Sequence, residues 1–300
     1  MKINKSTVIA KSIAVCALLA LGTSTFATQT WDLQGGCGAS TTNVSLGSSE
    51  ACSGAAAGVT LNGFSNGTET SDSPGATNNA TNFAAAAIYN WGSSAGLGVV
   101  ASNESSGATG PHAIDNGYGI DALMISFGTA KVDLSSLTIG WNGNDNGTTS
   151  NNNGSTSGGG AVNYNDSDLS VFVWTGAGAP PVTSNSPNTL VASGWALVGN
   201  YADVGTMSNN TTGISSSIYS SYWLISAYST AYGTGTGLDQ GNDAFKLMTV
   251  AGNTCTGTVT NGSCGSGGGH SNVPEPGSMA LMGAAMMGFV ATRRRKQKAA

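Results

Sequence analysis

The chain has 300 residues, and only 8% of them are Asp, Glu, Lys or Arg, against about 25% in an ordinary soluble protein. Most basic residues lie at the two ends, so residues 28–272 hold fourteen acidic side chains and two basic ones, Lys131 and Lys246, for a net charge close to −12. A segment without arginine offers no basic patch for the phosphates of nucleic acid, and nucleic-acid binding is excluded.

The first 27 residues have the three parts of a secretory signal peptide. Three lysines make the start basic, an almost unbroken apolar run covers residues 12–22, and small residues follow at Thr25 and Ala27. This order predicts export by the Sec machinery and cleavage by signal peptidase after Ala27. A short buried helix is the alternative interpretation, but it does not explain why the three features occur together at residue 1.

Four cysteines remain after the predicted cleavage: Cys37, Cys52, Cys255 and Cys264. Four cysteines allow three pairings, and an exported protein meets conditions in which disulfides form. We expect local pairs, Cys37 with Cys52 and Cys255 with Cys264, because each pair brackets a stretch rich in Gly, Ser and Asn. The alternative is a zinc site, although the spacings are too long for the usual Cys-x2-Cys ligand pair.

Short runs of alternating apolar and polar residues predict β-strands along residues 28–264. The runs are ALMISF (122–127), SLTIGW (136–141), LSVFVW (169–174), WALVGNY (195–201), YWLISAY (222–228) and AFKLMTV (244–250), with GVTLNGF (58–64) and LGVVAS (97–102) less regular. Segments rich in Gly, Asn and Ser separate them, as turns require. The pattern predicts one all-β domain, an antiparallel β-sandwich or jelly roll. Ala84 to Ala87 is the only internal hint of a helix.

Residues 142–168 are polar throughout and predict an exposed loop between two strands. The spacing of oxygen-bearing side chains resembles the start of a calcium loop, but Asn153 stands where an EF-hand needs its bidentate Glu. The candidate calcium ligands are Asn142, Asn144, Asp145, Asp166 and Asp168. Asn and Gly also form such loops by ordinary turn chemistry, so a weak calcium site is one of two interpretations, and no other cofactor is predicted.

Residues that could carry catalysis are sparse. His270 lies in the Gly-rich linker predicted at 265–272, and His112 has no Gly-x-Ser-x-Gly nucleophile motif to serve. The four glutamates lie in turn-like segments or in the C-terminal tail. A glycosidase would therefore have to use two aspartates, either Asp115 with Asp121 or Asp166 with Asp168. The sequence therefore predicts a protein that is not an enzyme, with a secreted hydrolase as the less favoured alternative.

Six tryptophans provide an alternative of another class, because indole rings can stack on sugar rings. They are Trp31, Trp91, Trp141, Trp174, Trp195 and Trp223. At least half fall in predicted strands, where a core position is the simpler interpretation. A carbohydrate-binding module, in a calcium-dependent form if the loop 142–168 holds the ion, is the main alternative function.

The last 28 residues, 273–300, contain three parts in a fixed order. Two prolines keep Pro274, Glu275 and Pro276 of the motif at 273–276 extended. The apolar segment 278–292 would form a helix of roughly 22 Å, shorter than the roughly 30 Å hydrocarbon core of a membrane. A basic tail at 293–298 follows and would stay on the cytoplasmic side. Its first four residues are Arg293, Arg294, Arg295 and Lys296.

This tail resembles the PEP-CTERM sorting signal of Gram-negative bacteria. The resemblance implies transient anchoring in the inner membrane, processing by an exosortase (a membrane-embedded cysteine peptidase), and a final place at the cell surface or outside the cell. It also implies a non-enzymatic surface or extracellular-matrix protein associated with exopolysaccharide or biofilm, with extracellular polysaccharide as a partner. A plain C-terminal membrane anchor is the alternative. The strand ending at Trp141 and the triplet Asp166-Ser167-Asp168 are similar to features of exosortase-dependent surface proteins as a group.

Overall fold

A computed structural model describes residues 28–38, 44–67, 79–92, 95–102, 112–116, 119–142, 167–204, 210–238 and 243–265. Within these ranges the chain is mostly β-strand, with few and short helices. In the same ranges, no helix has the length and apolar character needed to cross a membrane. The predicted sorting helix at 278–292 lies outside the described residues.

The strands of the described residues are β1 (Thr28–Asp32), β2 (Val44–Gly47), β3 (Ser49–Ala51), β4 (Thr60–Ser65), β5 (Ala84–Asn90), β6 (Leu97–Val100), β7 (Ile114–Asp115), β8 (Asp121–Ser126), β9 (Val132–Asn142), β10 (Leu169–Trp174), β11 (Trp195–Tyr201), β12 (Asn210–Gly213), β13 (Tyr222–Ala227), β14 (Ala244–Thr254), β15 (Val259–Thr260) and β16 (Ser263–Cys264). A four-residue helix, α1 (Leu33–Gly36), follows β1. Short 3₁₀ segments occur at Gly54–Ala56, Val182–Ser184, Pro187–Thr189, Val191–Ser193 and Thr230–Tyr232.

Fourteen of these strands form one curled antiparallel sheet. Its hydrogen-bonded order is β11-β10-β13-β8-β4-β5-β6-β14-β9-β12, with β1 and β7 also on β14, β2 on β5 and β3 on β4. β15 and β16 form a separate hairpin. The predicted antiparallel, mostly β architecture is confirmed, and every strand run named from the sequence overlaps a strand of the structure.

Alternate residues of many strands gather in one apolar core. Leu123 of β8, Val171 of β10 and Ile225 of β13 contribute from one part of the strand order, and Ile88 of β5 and Leu247 of β14 contribute from another. All five are fully buried. Strands distant in the sheet order thus share one core, because the sheet curls over it and removes its apolar face from water.

The other face of β8, β10 and β13 carries a second core. Met124, Phe172 and Leu224 lie in it, together with Val182 of the first 3₁₀ segment after β10 and with Leu190, which lies between the next two. The whole of β10 is therefore buried, which agrees with its run of apolar residues interrupted only once by serine.

The alanine run at 84–87 is not helical. It begins β5, which pairs with β4, β6 and β2. Ala86 lies opposite Gly63 of β4, and a Cβ atom added at Gly63 would lie 2.6 Å from the Ala86 carbonyl oxygen. The intrinsic helix propensity of alanine is overridden here because a helix would leave the backbone groups of three neighbouring strands without partners.

Both local cysteine pairs are present as disulfides. Cys37, fully buried after α1, bonds to Cys52 after β3. Cys255, just after β14, bonds to Cys264 in the β15–β16 hairpin. Because all four sulfurs are used in this way, they are not available as the zinc thiolates of the alternative interpretation.

Candidate functional site

A groove of about 830 Å³ lies beside the β15–β16 hairpin. Four parts of the chain line it: the β8–β9 turn with Thr129 and Lys131, the end of β10 and the loop up to Ala179, the segment Ile218 to Tyr222, and the hairpin with Asn261. The hairpin turn is Asn261-Gly262, and both residues have positive φ, 50° and 78°. This is the two-residue Asn-Gly turn that right-twisted strands favour.

Hydrogen bonds inside the protein fix the floor of the groove. Ser220 Oγ donates to the Trp174 carbonyl oxygen at 2.7 Å, and Ser221 Oγ donates to the Ala130 carbonyl oxygen at 2.8 Å. Tyr219 N donates to the Gly262 carbonyl oxygen at 2.7 Å, which ties this segment to the hairpin. The groove is therefore largely preformed, as ligand sites usually are.

Trp174 forms part of the floor and is not a stacking surface. Its Nε1 donates to the Gly178 carbonyl oxygen at 3.0 Å, and only 7% of the residue is exposed. The backbone at Gly176 and Gly194 lies against the indole, since a Cβ added at either glycine would come within 3 Å of the ring. Gly194 also needs its φ of 115°, which other residues rarely adopt.

The side chains around the groove opening have unused hydrogen-bonding capacity. Thr129, Lys131, Tyr219, Tyr222 and Asn261 make no side-chain hydrogen bond to other described residues. Burial raises the pKa of Tyr219, and the nearby Asp133 carboxylate raises it further. The Tyr219 hydroxyl therefore stays protonated at neutral pH and remains a hydrogen-bond donor.

A second cluster surrounds Lys246 of β14. Its Nζ lies 4.0 Å from the ring centroid of Trp91 and 3.8 Å from that of Trp141, and the residue is 4% exposed. Trp91 Nε1 donates to the His112 carbonyl oxygen at 3.1 Å, and the Tyr89 ring packs against the indole of Trp91 and the imidazole of His112. One face of each indole is thus occupied by the protein's own ammonium group, an arrangement that stabilises the end of β9.

Four of the six tryptophans are core residues, since Trp31, Trp174, Trp195 and Trp223 are each at most 7% exposed. The tryptophans considered for sugar stacking therefore do not form a common exposed face. His112 is also buried, at 6% exposed, and its ring packs against Tyr89 and Trp91.

A network of acidic and amide side chains lies where several strands begin and end. Asp168, just before β10, is fully buried; its Oδ1 accepts from Asp203 N at 2.9 Å, and its backbone N donates to Asp243 Oδ1 at 2.6 Å. Asn116 Nδ2 donates to Asp243 Oδ2 and to the Tyr228 carbonyl oxygen. The sequence analysis did not predict that Asp203 and Asp243 would be hydrogen-bond partners of Asp168. The position of Asp243, directly before an apolar run, is the one sequence feature that points to a role for it at the start of a strand.

Of the five predicted calcium ligands, only Asn142 and Asp168 lie among the described residues. Asn142 is the last residue of β9, and Asn144, Asp145 and Asp166 lie outside the described residues. Among the residues that are described, no group of three or more His, Cys, Asp or Glu side chains is arranged to hold a metal ion. Of the aspartates considered for a hydrolase, Asp115 ends β7 and Asp121 begins β8.

The C-terminal tail is matched by a protein-family model, the PEP-CTERM protein-sorting motif, over residues 272–296. The chain carries a PEP-CTERM sorting signal. The PEP-CTERM match includes Pro274, Glu275 and Pro276 and the basic residues Arg293 to Lys296. It supports export and targeting to an exosortase. No curated protein matches the chain.

The PEP-CTERM motif begins seven residues after Gly265, the last described residue. The motif residues, the basic tail and Ala27 all lie outside the described part of the chain. The domain residues nearest to both predicted processing sites can be placed, however. Thr28 begins β1 and pairs with Asn253 of β14, and its Oγ1 donates to Asn253 Oδ1 at 3.1 Å. Cleavage after Ala27 would therefore leave β1 intact, close to the strand that leads to the sorting signal.

Proposed function

We propose that this is an exosortase-processed protein of the cell surface or extracellular matrix of a Gram-negative bacterium, and that it has no enzymatic activity. The PEP-CTERM motif at 272–296 is the observation that carries the proposal. In this proposal the segment 278–292 anchors the chain in the inner membrane until the exosortase acts, and the domain then serves a structural or adhesive role in exopolysaccharide or biofilm.

The character of the domain supports a structural role outside the cell. Two disulfides fix its ends, and we interpret its curled sheet as a β-sandwich of the jelly-roll kind. The carboxylates of Asp168 and Asp243 accept hydrogen bonds from backbone and amide groups, an arrangement that stabilises strand ends rather than poising an acid and a base.

The experiment is a measurement of the intact mass and both termini of the protein recovered from its producing cells. We expect the chain to start at Thr28 and to end near Pro274–Pro276, because signal peptidase and exosortase have each acted. The variant Glu275→Ala should keep residues 277–300, whereas Glu50→Ala, which removes a carboxylate from the domain, should be processed normally. A wild-type chain that keeps Arg293 to Ala300 would refute exosortase processing and make the tail a permanent anchor.

A second candidate function is carbohydrate binding. The groove favours it, because its described lining includes hydroxyl, amide, ammonium and phenol groups that have no side-chain hydrogen bond to other described residues, around a preformed floor. A calcium ion held by residues 142–168 remains part of this candidate. Calorimetric titration with Ca²⁺ tests it: heat that disappears in Asp166→Asn is expected for a site, and no heat would remove calcium from the proposal.

A further inference from the structure

We propose that the groove beside the β15–β16 hairpin binds an acidic oligosaccharide, one whose sugar rings carry carboxylate groups. The first argument is the distribution of charge. Residues 28–272 carry fourteen acidic side chains, yet no Asp or Glu is among the described residues that line the groove, and Lys131 is the one charged residue among them. The described lining therefore carries no carboxylate that would repel an anionic ligand.

The identity of that cation strengthens the argument. Lys131 and Lys246 are the only basic residues between 28 and 272. Lys246 is buried between two indoles, whereas Lys131 is exposed and has no carboxylate partner among the described residues. Lys131 is thus the one lysine of the domain that can meet a ligand carboxylate. Asp133, whose carboxylate raises the pKa of Tyr219, is not among the described residues that line the groove.

The hydrogen-bonding groups of the groove select for sugars over other carboxylates. The hydroxyls of Ser220 and Ser221 already donate to backbone carbonyls and hold the floor. The side chains of Thr129, Tyr219 and Asn261 remain available, so the opening offers both donors and acceptors, as a polyhydroxylated ligand requires. An apolar carboxylate such as a fatty acid would leave these groups without partners, at a cost in affinity.

The size and position of the groove fit a segment of a polymer. Its volume of about 830 Å³ lies within the range of roughly 300–1,000 Å³ usual for small-ligand sites. It is formed partly by the hairpin turn at Asn261 and Gly262, close in sequence to the predicted linker. An acidic polysaccharide bound there would hold the domain within a matrix after the sorting signal has been removed.

The test is calorimetric titration of the full chain, purified in detergent, with tetragalacturonate as the acidic probe and maltotetraose as the neutral one. Tetragalacturonate should bind and maltotetraose should bind more weakly. Lys131→Gln should bind tetragalacturonate roughly two- to fivefold more weakly, the loss expected for an exposed ion pair, and Lys131→Arg should keep the affinity. Tyr219→Phe, which loses only the hydroxyl, should also bind more weakly.

The matched control is Ser49→Asp, which makes the same change in net charge on β3, outside the groove lining, and should bind as the wild type does. Absence of tetragalacturonate binding, equal affinity for maltotetraose, or affinity unchanged in both Lys131→Gln and Tyr219→Phe would overturn the proposal. The inference rests on the proposed extracellular role but fails separately from it, because the masses of the processed termini do not depend on Lys131.

Discussion

The two disulfides should differ in their contribution to stability, and the difference can be worked out from their positions. The Cys37–Cys52 bond closes a loop with a sequence separation of 15, and the Cys255–Cys264 bond closes one of 9. In the chain-entropy model these loops contribute about 3 and about 2.5 kcal/mol to the free energy of unfolding. Loop length alone therefore predicts nearly equal effects.

The two disulfides differ in how deeply their sulfur atoms are buried. Cys37 is fully buried in the main core and Cys52 packs against that core, whereas Cys255 and Cys264 are only partly buried. Replacing Cys37 by Ala removes a sulfur atom from close-packed surroundings, which adds about 1 kcal/mol. We expect the double variant Cys37→Ala/Cys52→Ala to lose about 4 kcal/mol and Cys255→Ala/Cys264→Ala to lose about 2.5 kcal/mol.

The assay is thermal and urea unfolding of the two double variants beside the oxidised wild-type protein. For a domain of this size, about 1.5 kcal/mol corresponds to a difference in Tm of about 3–6 °C between the variants. Dithiothreitol should also reduce the more exposed Cys255–Cys264 bond first, because thiol exchange requires access to sulfur. Equal losses in the two variants, or a larger loss for Cys255→Ala/Cys264→Ala, would refute the contribution assigned to core burial.

Two further variants test the ionisable groups of the domain. Burial raises the pKa of Asp133 above its value of about 3.9 in the unfolded chain, so ionisation costs stability as the pH rises from about 4 through the folded-state pKa. Between pH 4 and 7, the free energy of unfolding measured in urea should fall less for Asp133→Asn than for the wild type. Curves of unfolding free energy against pH that run parallel for the two proteins would contradict this. Asp243→Asn should lower the free energy of unfolding by about 2–4 kcal/mol, because an amide group then faces the donating Nδ2 of Asn116. The exposed Asp203→Asn serves as the control. An unchanged free energy of unfolding in Asp243→Asn would show that this network does not stabilise the fold.

Local pattern identified eight of the sixteen strands that the described residues form. The runs 169–174 and 195–201 coincide with β10 and β11, because alternation with β-branched and aromatic residues reflects the geometry of a single strand. For the alanine run at 84–87, the hint of a helix was wrong, because its strand conformation depends on three neighbouring strands that the local sequence does not specify.

The groove could be found only in part from the sequence. The Asn261-Gly262 turn carries a recognisable hairpin signature, and the isolation of Lys131 in an acidic domain is visible in the composition. That the two lie around one cavity depends on strand pairing, because Val132 bridges Ser220 and the hairpin contacts Tyr219. No local pattern encodes contacts across such separations.

The sequence by itself determined the PEP-CTERM motif of this protein and its mostly β class of fold. The predicted signal peptide and the PEP-CTERM motif are linear segments, and processing enzymes bind such segments in extended or helical form, so their information is contained in order and spacing. Only the tertiary structure decided that Lys246 lies between Trp91 and Trp141, and that Asn116 meets Asp243 across 127 residues. These contacts form because the curled sheet brings distant strands together over a common core, and the free energy that selects one strand order belongs to the whole domain rather than to any segment.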